Sequence, residues 1–338
     1  MQLKVRAAVI LATLVLACLP LASAGAQSTD APPSGAVLAP AGRQVAWLSL
    51  EAPRPRFVTH FDAPDYVSDV AVPTGANRAA AVVVHLPTVG SVPYGDIMLV
   101  DLTSSTASPL VGDPDATESL SAPVWSSDGT RLFFQREDIS VVGTSYAGGA
   151  TVQYPSRLEQ VNADGSGRTI VVGNGRQPAS SPDGQDIAYV YRTEQGPALV
   201  IRNLTDATER TVLAAGQFGD IMTPRYSPRG DRIAFMAPVG LAPVSARGVF
   251  FNVAWFAAPL RLAHGTPWDV WIVNADGSAP ASRLAAVSAD DGTLAWSPDG
   301  SRLFVYGGTG SFIVDVASGE VMPLSFLSGY GSTSWVSD

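Results

Sequence analysis

The chain has 338 residues, 46% of them hydrophobic, enough to bury a large core and too apolar for a disordered chain. Its 21 basic and 30 acidic residues give a net charge of −9 without a basic run, which excludes the cationic footprint that a nucleic-acid binder needs. Abundant glycine (32) and proline (26) with no triplet period point to many turns between short strands, hence to an all-β fold.

Residues 1–26 carry the pattern of an export signal. Lys4 and Arg6 form a positive start, Ala7 to Leu19 an apolar core, and Ala22-Ser23-Ala24 or Ala24-Gly25-Ala26 a small-residue cleavage site. The apolar stretch falls short of the roughly 20 residues that span a bilayer, and no later stretch reaches that length, so no transmembrane helix is expected. Val15-Leu16-Ala17-Cys18 is similar to a lipobox, which makes a lipid anchor at Cys18 the alternative to plain cleavage downstream. Cys18 is the only cysteine, so the mature domain is expected to hold together by core packing without a disulfide. Residues 27–35 read as a linker and 36–338 as one domain.

Along that domain one pattern returns: a short apolar run, a turn built on Ser-Pro-Asp-Gly, and a second apolar or aromatic run. Weak copies are AVLAPAGRQVAWLSL (Ala36 to Leu50), with its turn read at Ala39-Pro40-Ala41-Gly42, and DVAVPTGANRAAAVVV (Asp69 to Val84). Strong copies are APVWSSDGTRLFF (Ala122 to Phe134), QPASSPDGQDIAYVY (Gln177 to Tyr191), PRYSPRGDRIAFM (Pro224 to Met236) and TLAWSPDGSRLFVY (Thr293 to Tyr306). Turn chemistry accounts for the shared residues: proline presets φ, aspartate accepts from downstream backbone, and glycine takes a positive φ. Asp128, Gly129, Asp183, Gly184, Asp299 and Gly300 are therefore read as structural turn residues.

A second hairpin follows each first one. LEQVNADGSGRTIVV (Leu158 to Val172) and VWIVNADGSAPASRL (Val270 to Leu284) share an Asn-Ala-Asp-Gly-Ser turn, and three other segments fill the same slot with different turns. Six units of about four strands predict a six-bladed β-propeller of four-stranded antiparallel blades. The terminal STSWVSD (Ser332 to Asp338) matches a first strand stopping at its turn, so the ring is expected to close with this C-terminal strand in the first blade.

Two segments depart from the repeat. The insertion from about Val239 to Trp268 carries Phe250, Phe251, Trp255 and Phe256, which read either as exposed anchors for a partner or as extra packing in a lengthened hairpin. A more polar insertion is expected between Arg136 and Tyr154. Gly143 to Gly149 approaches a nucleophile elbow at Ser145, but it lacks the strand-turn-helix setting and carries Ala147 in place of the second glycine. His60, His85 and His264 stand without metal-ligand spacing, so no metal, cofactor or catalytic residue is assigned. Asn203-Leu204-Thr205 is a glycosylation acceptor only in a eukaryotic secretory pathway, and the lysine-poor, alanine-rich composition favours a bacterium.

The Trp-Ser-Pro-Asp-Gly hairpin followed by Ile-Val-Asn-Ala-Asp-Gly-Ser resembles the repeat of TolB-type β-propellers, also found in the N-terminal propeller of prolyl oligopeptidase and dipeptidyl peptidase relatives. The resemblance covers nearly all of residues 36–338. TolB carries a separate α/β domain before its propeller, whereas here only residues 27–35 separate the cleavage site from the first repeat. The resemblance implies an exported protein, periplasmic, secreted or at the cell surface, acting as a non-catalytic recognition or scaffold module for a protein or peptide partner. The alternatives are a hydrolase- or lactonase-type propeller enzyme with a metal or acidic site on its axis, and a carbohydrate-binding envelope protein.

Overall fold

The computed structural model describes residues 35–51, 54–75, 77–86, 92–140, 155–238 and 267–336. These residues form strands and turns without a helix, arranged as six four-stranded antiparallel sheets. Blade 1 holds β1 (Ala36–Ala41), β2 (Gln44–Ser49) and β3 (Arg56–Phe57). Blade 2 holds β4 (Tyr66–Ala71), β5 (Arg78–His85), β6 (Tyr94–Asp101) and β7 (Thr106–Val111). Blade 3 is β8 (Glu118–Trp125), β9 (Arg131–Asp138), β10 (Ser156–Asn162) and β11 (Thr169–Val172). Blade 4 is β12 (Arg176–Ser180), β13 (Asp186–Thr193), β14 (Gly196–Asn203) and β15 (Glu209–Leu213). Blade 5 is β16 (Met222–Tyr226), β17 (Arg232–Pro238), β18 (Trp268–Asn274) and β19 (Ser282–Ala289). Blade 6 is β20 (Thr293–Trp296), β21 (Arg302–Gly307), β22 (Gly310–Asp315) and β23 (Val321–Leu324). Finally β24 (Ser334–Trp335) returns to blade 1.

The sequence pattern explains the layering. Second strands such as β5, β9 and β17 are apolar at successive positions because both of their faces meet a neighbouring blade. Outer strands such as β7 and β15 alternate less and lie exposed. The core is therefore divided: each of the hydrophobic clusters among the described residues is shared by two adjacent blades, one at every junction round the ring. Phe133 packs between blades 3 and 4, Phe134 between 2 and 3, Phe235 between 4 and 5, and Phe304 between 6 and 1, all fully buried. Each such side chain contributes about 1.5–3 kcal/mol through removal from water.

The ring closes as the terminal repeat predicts. Trp335 pairs with Val37 and Ser334 with Leu38, antiparallel, and the Val336 amide donates to the Ala36 carbonyl at 3.2 Å. This closure corrects the reading of Ala36 to Leu50. That segment is the hairpin between the second and third strands of blade 1, and its strand runs through Pro40 and Ala41 to a turn at Gly42 and Arg43. The hairpin keeps its register through the proline, with Pro40 opposite Val45.

The polar insertion also begins later than expected. β9 continues through Arg136 to Asp138. Charged residues fit in these strands because they neutralise one another across the sheet: Arg136 bonds Glu118 at 2.7 Å, Arg168 bonds both Glu118 and Glu159 at 2.5 Å, and Arg157 bonds Glu159 at 2.5 Å. Cys18, Ser145, Phe250, Phe251, Trp255, Phe256 and His264 lie outside the described residues.

Candidate functional site: the axial funnel

The innermost strand of each blade lines the axis, ending at the first-hairpin turn in blades 2 to 6 and supplied by β24 in blade 1, so the repeat brings six copies of one sequence position together. A cavity of about 530 Å³ opens there, walled by those strand ends from all six blades. Trp125, Trp296, Trp335, Tyr226, Ser180 and Ala71 occupy equivalent places in its wall. Two of the indoles are tied down by the neighbouring blade: Trp125 Nε1 donates to the Ala71 carbonyl and Trp296 Nε1 to the Arg225 carbonyl, each at 3.0 Å.

The turn residues form the rim. Ser126 Oγ donates to Asp128 Oδ1 at 2.6 Å, and the Thr130 amide donates to the same oxygen at 2.9 Å. Asp183 and Asp299 repeat the arrangement with Ser181 and Gln185, and with Ser297 and Ser301. These hydrogen bonds, the serine hydroxyl first, hold Asp128 and Asp299 down at about 2 and lower Asp183 in the same direction. In blade 5 the turn reads Ser-Pro-Arg-Gly-Asp, and Ser227 Oγ reaches on to Asp231 at 2.7 Å. The missing aspartate is replaced from two residues downstream.

Gly129, Gly184, Gly230 and Gly300 all take a positive φ, between +66° and +75°. They serve a second purpose that turn chemistry alone does not reveal. A Cβ at Gly129 would stand 3.2 Å from Pro73, at Gly230 3.2 Å from Pro182, and at Gly300 3.3 Å from Pro228. Three of the four turn glycines thus receive the turn proline of the preceding blade, while Gly184 meets Ser127 Oγ at 3.0 Å because blade 3 has serine where blades 2, 4 and 5 have proline; these side chains make the mouth of the funnel.

Below the rim the inner strands of blades 2 to 5 carry a β-bulge in the same place, with Ala122, Gln177 and Thr223 at positive φ. The bulges free backbone amides for bonds between blades. Gln177 N donates to Gln135 Oε1 at 3.0 Å, and Thr223 N donates to Gln177 Oε1 at 2.5 Å. Asp69 Oδ1 accepts from the Ser332 amide at 3.0 Å and from its hydroxyl, while Ser68 donates to Oδ2 at 3.0 Å. The funnel wall ends at the level of this girdle, at Val70, Pro123 and Thr333.

Arg225 is a charge in the funnel wall. Its Nη1 donates to the Pro224 carbonyl at 2.9 Å, and no carboxylate among the described residues comes within ion-pair distance. Burial pulls the guanidinium down to about 10, with the field of Asp69 acting in the opposite direction. The equivalent positions in the other blades are Val70, Val124, Ala179, Ala295 and Ser334. A charge at an otherwise small or apolar repeat position is the signal the sequence carries for Arg225, and it stands out only when all six inner strands are aligned.

The histidines lie elsewhere. His85, at the end of β5 and so at the opposite end of its blade, sits 2.7 Å from Asp65 and 3.4 Å from Asp96, with the Tyr94 ring 4.9 Å away. His60 meets Gln44 at 3.1 Å. No group of three or more His, Cys, Asp or Glu among the described residues is placed to hold a metal ion, and among the described residues no helix is long and apolar enough to cross a membrane.

No family model matches the chain, and no curated protein matches it in sequence. Solved structures do match in shape. TolB from Acinetobacter baumannii superposes with a TM-score of 0.60 at 15% identity, over 90% of this chain and 66% of that one. A TolB from Agrobacterium tumefaciens gives 0.56 at 14% identity, over 86% and 88%. The fold is a TolB-like six-bladed propeller. A chain of a nidogen/laminin complex gives 0.62 at 11% identity, over 90% of this chain and all of that one. The TolB-like propeller thus shares its shape with proteins of unrelated setting, and its chemistry has to be read from its own funnel.

Proposed function

We propose that the protein is an exported, non-catalytic recognition module that receives part of a protein or peptide partner in its axial funnel. The observation that carries this reading is the funnel itself: an open cavity of about 530 Å³ whose wall combines tryptophan and proline surface with serine and threonine side chains and Arg225. A concave site that sets polar groups among aromatic and proline surface can both bury and orient a ligand. The signal-like residues 1–26 support a place outside the cytoplasm, with a lipid anchor at Cys18 as the variant of that reading. The aromatic insertion with Phe250, Phe251, Trp255 and Phe256 is a second candidate surface for the same partner.

Photo-crosslinking in cells tests it. A crosslinking residue at Ser127, on the funnel rim, should capture a defined partner that the same residue at Ser108, on exposed outer strand β7, does not. Identical adducts from both sites, or adducts from neither, would refute the funnel as the recognition site. Retention of the adduct when the four insertion aromatics are changed to serine would assign recognition to the funnel alone.

A further inference from the structure

We infer that Arg225 is the anchor for the C-terminal carboxylate of a peptide inserted into the funnel, a refinement that rests on the funnel being the recognition site. Five of the six blades place a neutral residue at this point of the wall, so nothing in the repeat requires a cation. Packing does not explain it either. The half-buried guanidinium has no carboxylate at ion-pair distance among the described residues, and only one of its donors is committed, to the Pro224 carbonyl. The remaining planar fork matches the two oxygens of a carboxylate.

A second group points to the same ligand. Thr333, also in the funnel wall, is 3% exposed, and its Oγ1 has no hydrogen-bond partner. Buried hydroxyls are normally paired, so this one lacks an acceptor that a ligand can bring. Charge limits what the ligand can be. Asp69, whose carboxylate is engaged by Ser332 and Ser68, places a negative field near Arg225, and the chain carries −9 overall. One guanidinium offers one positive charge and the Asp69 field opposes further negative charge, so a monoanion is disfavoured less than a dianion such as a phosphate monoester.

Shape favours a chain end over a side chain. The cavity opens at the proline rim and ends at the bulge girdle, and Arg225 and Thr333 belong to its inner part. A peptide entering from the mouth presents its terminus first, with its last side chains against Trp125, Trp296 and Trp335.

The experiment uses pooled acetyl-tetrapeptides of random sequence, prepared as free acids and as C-terminal amides, with the indole N–H resonances of those three tryptophans followed by NMR. The free-acid pool should shift them and the amide pool should bind at least tenfold more weakly. Arg225→Gln should lose at least tenfold for free acids, with Arg225→Lys recovering part of the loss and Thr333→Val losing less. Thermal unfolding of Arg225→Gln should match or exceed that of the wild type, since an unpaired charge is removed, which separates lost binding from lost folding. Equal binding of acids and amides, or wild-type binding by Arg225→Gln, overturns the anchor and leaves the funnel as a site. Amides that bind only when they contain Asp or Glu overturn the chain-end assignment in favour of a side-chain carboxylate. No shift with any pool overturns the anchor and the recognition reading together.

Discussion

Replacing Gly230 with alanine tests whether the rim glycines key one blade into the next. Two effects are expected. At φ +75° an alanine is strained by about 1–2 kcal/mol, offset by about 0.4–1 kcal/mol from the less flexible unfolded chain. The new Cβ would also stand 3.2 Å from Pro182 Cγ and 3.5 Å from its Cδ, in a ring that cannot rotate away, which adds about 1–2 kcal/mol of overpacking. Gly42 supplies an internal control, since it has φ +63° and nothing within 4 Å of the position a Cβ would take. Urea unfolding should therefore show Gly42→Ala destabilised by about 1 kcal/mol or less and Gly230→Ala by about 2–3 kcal/mol. Pro182→Ala should relieve the second effect, giving a coupling of about 1 kcal/mol in the double-mutant cycle. Equal losses for the two glycines, with a coupling inside about 0.3 kcal/mol, would refute the keying and reduce these glycines to their dihedral role.

Three further outcomes follow from the same geometry. Asp299 and Asp128 are held near 2 by serine hydroxyls and backbone amides, below the ordinary value of 3.8, so their stabilisation is present above about pH 4 and fades as pH falls toward 2. The Asp128→Asn, Asp299→Asn double variant should be less stable than the wild type at neutral pH and converge with it on acid titration followed by circular dichroism; a constant difference at all pH values would contradict the assignment. Trp125→Phe removes the donor to the Ala71 carbonyl between blades 2 and 3 and should lower stability by about 1–2 kcal/mol in denaturant titration, with no loss counting against the bond. Phe133→Ala empties a fully buried site shared by blades 3 and 4 and should lower stability by about 3–5 kcal/mol, far more than Phe57→Ala at the half-exposed edge of blade 1.

The propeller was legible because its turns are chemically specific. Ser-Pro-Asp-Gly and Asn-Ala-Asp-Gly-Ser need particular backbone angles and side-chain acceptors, and those needs show up as residues at fixed offsets. Ala36 to Leu50 was assigned to the wrong hairpin because an apolar run, a glycine turn and another apolar run describe any hairpin; only the pairing of Trp335 with Val37 places it as strands two and three. The polar insertion expected from Arg136 starts later because Arg136 is neutralised within the sheet by Glu118, which lies on another strand. Arg225 and Thr333 gained meaning only through ring closure, which sets six distant segments around one axis. The proline-to-glycine keying was hidden for the same reason, since Pro182 and Gly230 belong to different repeats.

The closing strand has a consequence for how the ring breathes. Among the described residues β24 contributes two residues, and its ladder to β1 runs over Val37 and Leu38, whereas the other inner strands pair over longer runs. This seam is the clasp of a bracelet: when it parts, blade 1 keeps its remaining strands but exposes an apolar edge at Ala36 to Ala39, a template for pairing with another chain. Amide exchange at Leu38, whose backbone faces the seam, should therefore run ahead of the ring as a whole. Trp335 belongs both to the clasp and to the funnel wall, so an occupant resting on that indole fastens the two ends of the necklace. Occupancy and closure then share one equilibrium, in which an empty ring opens more readily than a filled one.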